Sequence, residues 1–274
     1  CRMCNPYASS MWVKEWNDVV NTAELVPNEK IDESETKRLS KMDWFENPKV
    51  WENIAKIADS IEEIYLTGGE PTLAIKQYDL FEYLHKHNLS KKIRLKYNTN
   101  LTNIPDTMLE HWKKFKTIKI NASIDAVGEL DRYVRYPSAW HKIEENFQKL
   151  KKLDNIRLQI HSTIQTYNLL ALDKLYEWTD SIKFSDVYLN ILNHPKCLNI
   201  KVLPNELKQE AIKRLEPFAE RTKVKQMIDY MQSENWYDTL WNDFMDYTNT
   251  LDKSRNENIL EVVPEFKEYW NVRS

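Results

Sequence analysis

An alternation restricts the fold more than any other feature of this chain. From residue 48 to residue 218, short runs rich in β-branched and aromatic residues trade places with longer stretches whose apolar residues recur at helical spacing. The short runs are 61–66, 93–97, 117–124, 156–164 and 187–192. The helical stretches open at Pro48 and then cover 78–87, 106–115, 138–153, 169–182 and 204–218. Of these 138–153 is the clearest, with Trp140, Ile143, Phe147, Leu150 and Leu153 in register. Strands alternating with helices of this length imply βαβ units and a parallel sheet, because a parallel neighbour is reached only by a crossover. Five strands, each followed by a helix, plus one strand expected ahead of Cys1, predict an α/β fold. The form predicted is a partial (β/α)6 TIM-like barrel with a mainly helical C-terminal extension. The expected division is 1–203 for the barrel and 204–274 for the extension.

In such folds ligands sit at the C-terminal ends of the strands. The residues there are unusual. The chain has only 3 glycines in 274 residues, and two of them, Gly68 and Gly69, stand side by side after the first run. Glycine lets a backbone take angles closed to other residues or lie against a ligand. The plain alternative is a Gly-Gly turn between strand and helix. Glu70 and Pro71 follow the pair, Asn98-Thr99-Asn100 ends the second run, Ser123 and Asp125 end the third, and His161 to Gln165 the fourth. Taken singly, an Asn or Ser at a strand end is a turn cap. His161 and His141 read as hydrogen-bonded packing residues.

Composition narrows the function classes. Lys+Arg 39 against Asp+Glu 42 gives a net charge of −3, which is no footprint for nucleic acid or for an anionic membrane surface. No apolar run reaches the ~18 residues of a span. Three cysteines are too few for a disulfide framework, and a reduced, cytoplasmic setting is expected. The chain opens on Cys1 and not on methionine, so further residues are expected upstream. Around 236–247 an aromatic stripe of Trp236, Tyr237, Leu240, Trp241, Phe244 and Tyr247 reads as packing, and 259–263 as a short strand. Another helix is expected over 11–20, from Met11, Trp12, Trp16, Val19 and Val20, and a short one around 34–41 in an otherwise exposed connection.

Cys1 and Cys4, at x2 spacing, can serve zinc, redox or iron–sulfur chemistry. The motif is weak alone. In order along the chain, however, Cys1-Arg2-Met3-Cys4-Asn5-Pro6, Tyr65-Leu66-Thr67-Gly68-Gly69-Glu70-Pro71, Asn98-Thr99-Asn100 and Ser123-Ile124-Asp125-Ala126 resemble the radical S-adenosylmethionine (radical SAM) superfamily. The match is closest to its SPASM/twitch branch. The tail, 251–256 and Val263-Pro264-Glu265-Phe266, resembles that branch too. The likeness implies a [4Fe–4S] cluster held by Cys-x3-Cys-x2-Cys. Cys1 and Cys4 match its second and third cysteines, the first lies four residues upstream of Cys1, and Met3 departs from a frequent aromatic.

The resemblance also implies that S-adenosylmethionine chelates the open iron. Its ammonium is then met by Gly68, Gly69, Glu70 and Pro71, and its ribose and carboxylate by Asn98, Asn100 and Ser123, with Asp125 also among the cofactor-binding residues. Arg135, or failing that Arg132, is expected on the carboxylate. No further catalytic side chain is expected, and Cys197 reads as a buried thiol, with no auxiliary cluster. A small-molecule or peptide substrate and an electron donor such as a flavodoxin or ferredoxin complete the expectation. The alternatives are a SAM- or nucleotide-binding barrel without redox chemistry, and a zinc protein using Cys1 and Cys4.

Overall fold

The computed structural model of the chain describes residues 1–16 and 31–270. Its helices are α1 (Trp12–Glu15), α2 (Glu33–Leu39), α3 (Pro48–Lys56), α4 (Gln77–Lys86), α5 (Asp106–Trp112), α6 (Gly128–Val134), α7 (Trp140–Lys151), α8 (Leu172–Ser181), α9 (Asn205–Leu215), α10 (Val224–Gln232), α11 (Tyr237–Arg255) and α12 (Ile259–Val262). The strands are β1 (Glu63–Leu66), β2 (Arg94–Thr99), β3 (Thr117–Ser123), β4 (Ile156–Ile164) and β5 (Val187–Ile191). They form one sheet in the order β1-β2-β3-β4-β5. Strand order equals chain order. A doubly wound sheet would reverse direction partway, so this topology is of the barrel type, and the fold is α/β with a helical C-terminal region.

Two compact units divide the chain. The first comprises Cys1–Leu39, Ile124–Ser138 and His161–Ser274; the second comprises Ser40–Ser123 and Ala139–Ile160. Strand β4 runs through both, and residue 203 lies inside the first.

The second unit holds β1 to β3. Asn47 caps α3 by accepting from the Lys49 N–H at 3.1 Å, with Pro48 in the first turn, where its missing N–H costs nothing. In β2, Leu95, Tyr97 and Thr99 point inward and are buried, while their neighbours are not. Parallel pairing sets Tyr65 opposite Lys96 and Asn98 opposite Asn121. Leu80, Phe81 and Leu84 of α4, Met108 and Trp112 of α5, and Ile143, Phe147 and Leu150 of α7 supply the apolar core.

In the first unit the aromatic stripe is packing, as its spacing implies. Trp241, Phe244 and Tyr247 are buried on α11, with Phe266 edge-on to Trp241 and Phe244 at 5.6 and 5.7 Å. Helix α11 ends where Asn256 turns left-handed at φ 52°, a conformation asparagine tolerates. The expected strand at 259–263 is instead α12. Asn258 caps it through Leu260 N–H at 3.0 Å, and this local capping overrides the β-branched composition. Helices α6 and α10 were not legible in the sequence. The expected helix over 11–20 is described as α1, with Val19 and Val20 outside the described residues, and the short helix near 34–41 is α2. Among the described residues no helix is long and apolar enough to cross a membrane.

Candidate functional site

In the second unit, the strand ends build a neutral hydrogen-bonded surface around one carboxylate. Gly68 follows β1 with φ +134°, a region closed to side-chain-bearing residues. An added Cβ there would meet no protein atom within 4 Å, so the backbone angle demands glycine and the space over it is open. Glu70 joins two loops. Its Oε1 accepts from Thr72 N–H at 3.2 Å and Thr72 Oγ1–H at 2.7 Å, and its Oε2 accepts from the Asn100 N–H at 2.8 Å. An ionised carboxylate has about four acceptor positions, so these three bonds orient Glu70 and leave it able to take a further donor.

Behind this loop Gln77, fully buried, donates to the carbonyls of Pro71 and Ala74 at 2.9 and 2.8 Å. It accepts from the Tyr97 hydroxyl at 2.6 Å.

Asn98 and Asn100 take different parts. The Asn100 side chain accepts from Thr102 N–H and Oγ1–H at 2.9 and 2.6 Å, an Asx-type turn. Its contribution to the loop pair is therefore its backbone N–H. Asn98 sits in a ladder across three strands: its Nδ2 donates to the Tyr65 hydroxyl at 2.6 Å, and its Oδ1 accepts from Asn121 Nδ2 at 2.8 Å. Asn121 is 5% exposed, and its Oδ1 has no hydrogen-bond partner. Sequence reasoning passed over Asn121. Strand alternation points to it, since it shares a β3 face with Ser123, two residues on. Ser123 ends the strand, half-buried.

The first unit holds the cysteines and most of the charge. Cys4 N–H donates to the Cys1 carbonyl at 3.2 Å, closing a turn that carries both thiols. Both are free and partly exposed. Trp12 Nε1–H also donates to the Cys1 carbonyl, at 2.9 Å. Arg135, following α6, brings Nη1 to 3.7 Å from Cys1 Sγ, a distance at which a cation favours the thiolate form of a cysteine. Its Nε forms an ion pair with Asp125 Oδ2 at 2.8 Å. Burial works against the Arg135 charge, but Asp125 and Asp131 outweigh it and the guanidinium is held protonated. Asp125 Oδ1 accepts from Thr163 N–H at 2.7 Å, so both oxygens of Asp125 are engaged within the protein. Asp131 accepts from Ser138 Oγ–H at 2.9 Å, and burial raises its carboxyl to about 6.

The structure thus brings Gly68, Glu70, Pro71, Asn98 and Asn100 together, and separately Cys1, Cys4, Asp125 and Arg135. Arg132 is elsewhere employed, on Glu129 and Glu257 at 2.8 and 2.9 Å. His161 stacks on Tyr188 at 5.2 Å, a packing role, and Cys197 is buried. Two thiols on one turn beside a guanidinium fit part of an iron–sulfur ligand set; among the described residues no three His, Cys, Asp or Glu come together to hold a metal.

Comparison with known proteins follows the same lines. The family model of the radical SAM superfamily matches residues 1–177. No curated protein sequence matches the chain. Among solved structures, "Native anSMEcpe with bound AdoMet" is similar at 18% identity and TM-score 0.49, over 69% of this chain and 54% of that one. SuiB of Streptococcus suis bound to S-adenosylmethionine is similar at 15% identity and TM-score 0.42, over 62% and 41%. The same protein bound to its precursor peptide SuiA gives 14% and 0.41, over 80% and 44%. The chain spans about half the length of these structures.

Proposed function

The chain belongs to the radical SAM superfamily, whose cofactors are a [4Fe–4S] cluster and S-adenosylmethionine, and from that premise we propose that it is an enzyme that cleaves S-adenosylmethionine reductively. A cluster held in part by Cys1 and Cys4 would supply the single electron that splits S-adenosylmethionine into methionine and a 5′-deoxyadenosyl radical, the species that would take a hydrogen atom from the substrate. Cys1 and Cys4 supply two of the thiolates, with a third from upstream of Cys1. The observation that carries the reading is the pairing of those two thiols on one turn with the Arg135 guanidinium at 3.7 Å from Cys1 Sγ.

The remaining roles belong to protein groups that bind and orient. Gly68, Gly69 and Pro71 present backbone to the methionine ammonium, and Glu70, fixed by Thr72 and Asn100, compensates its charge. Asn98, Ser123 and the side-chain amide nitrogen of Asn100, whose Oδ1 and backbone N–H are already used, serve ribose and carboxylate. Asp125 acts through Arg135, since its own oxygens are already engaged. Residues 1–203 form the catalytic region and 204–274 a twitch-like extension that contributes to the substrate site, with a peptide as the substrate class and a flavodoxin- or ferredoxin-like donor.

The test is anaerobic reconstitution of the full-length protein, followed by dithionite and S-adenosylmethionine. 5′-Deoxyadenosine is the expected product. A fully loaded protein that forms none overturns the reading.

A further inference from the structure

The side chain between the two cysteines is enclosed in a way that carrying two thiols does not require. Arg2 has no exposed surface. Its Nη2 donates to Asp252 Oδ1 at 2.5 Å and to Glu257 Oε2 at 2.8 Å, and its Nε to the Tyr133 carbonyl at 3.0 Å. The guanidinium lies 3.6 Å from the centre of the Tyr133 ring. The backbone is held as well: Arg2 N–H donates to the Val134 carbonyl at 2.8 Å, and the Arg2 carbonyl accepts from the Tyr247 hydroxyl at 2.7 Å.

The partners are themselves fixed. Asp252 accepts from Tyr133 Oη–H at 2.7 Å and from Ile259 N–H at 2.8 Å. Glu257 Oε1 accepts from Arg132 at 2.9 Å. A second tie lies close by in sequence, where Arg255 holds Glu15 through two bonds of 2.8 Å. A turn that only had to present two thiols could carry a solvated side chain between them. This one instead sends a buried, forked cation into two carboxylates about 250 residues later in the chain, and a guanidinium on carboxylates fixes direction as well as position.

We infer that Arg2 is a positioning residue, and that Asp252 in the last turn of α11 and Glu257 just past its end clamp the Cys1–Cys4 turn in its ligating geometry. The C-terminal segment is then part of the machinery that presents the thiols. The functional weight of this clamp rests on the reading of Cys1 and Cys4 as cluster ligands; the clamp itself does not. A buried ion pair broken on one side leaves an uncompensated charge, so removing either carboxylate frees the turn to open locally.

The experiment uses the full-length, iron-free protein and follows iodoacetamide alkylation of Cys1, Cys4 and Cys197 separately by mass spectrometry. Glu257→Gln and Asp252→Asn keep the side-chain volume and remove the charge. Cys1 and Cys4 are expected to react at least about tenfold faster in both variants, with Cys197 unchanged. Arg2→Met should behave likewise, and Arg2→Lys should recover part of the protection. After anaerobic loading, the same variants should release iron to a chelator faster than the parent, in the same order. Unchanged Cys1 and Cys4 rates overturn the clamp. So does a parallel rise at Cys197, which would mark these carboxylates as general supports of the fold. Where Asp252→Asn does not fold, Glu257→Gln decides. A parent protein that takes up no iron refutes the ligand reading instead, and the alkylation rates still decide the clamp.

Discussion

The two polar regions of this molecule solve opposite problems. In the first unit, charge is buried and answered by charge: Arg135 against Asp125, and Arg2 against Asp252 and Glu257. In the second unit, Tyr65, Asn98 and Asn121 form a neutral ladder, and the carboxylate of Glu70 is met by backbone and hydroxyl donors. Buried ion pairs cost desolvation and lose about 3–5 kcal/mol when halved, whereas a halved neutral hydrogen bond loses about 1–3 kcal/mol. The charged region therefore fixes geometry stiffly around the thiols. The neutral region offers donors and acceptors that a polar ligand can share without a large energetic penalty.

The contrast can be broken at several points. Arg135→Ala strips Asp125 of its cation and should have the largest effect, about 3–5 kcal/mol of stability in urea unfolding. An effect below that of a neutral substitution would erase the distinction. Asp131 comes next. Its folded carboxyl stands at about 6, above the usual 3.8. The folded state then binds more protons across that window, so stability falls as pH rises from about 4 to 6, by about 3 kcal/mol. Asp131→Asn should flatten this slope, and thermal melts at pH 4, 5, 6 and 7 measure it.

Gly68→Ala forces a side chain onto φ +134° and should cost about 1–3 kcal/mol, visible as a lowered denaturation midpoint. A neutral result would mean that the loop relaxes freely. The smallest effect is expected from Asn121→Ala, about 1 kcal/mol in stability. Its consequence should be sharper in equilibrium dialysis with S-adenosylmethionine, as weaker binding through a displaced Asn98.

Much of the fold was legible because a period of 2 and a period of 3.6 leave different marks. The β4 strand falls at Ile156–Ile164 as its composition implies, and Pro48 and Pro105 announce α3 and α5. What escaped was short or locally overruled. Helix α6, with Leu130, Tyr133 and Val134 buried, spans too few turns to show a periodic face. At α12, one capping asparagine outweighed a run of branched residues. The site was legible as residue types and hidden as pairings. Arg135 was expected at a ligand carboxylate; what the sequence did not show is its ion pair with Asp125, ten residues back, reached only when the chain folds. Asn100 was expected to serve ribose and carboxylate; the turn that its Oδ1 closes on Thr102 left no mark in the sequence.

The sequence by itself determined the parallel α/β alternation, the glycine at Gly68 and the two thiols at x2 spacing, because each is a local matter of periodicity, backbone angle or ligand reach. Only the tertiary structure decided where the buried charges go. Arg2 finds Asp252 and Glu257, and Arg135 finds Asp125 and Cys1, since a cation removed from water must take whatever anions the packed chain brings within a few ångströms, and no spacing along the sequence records that meeting.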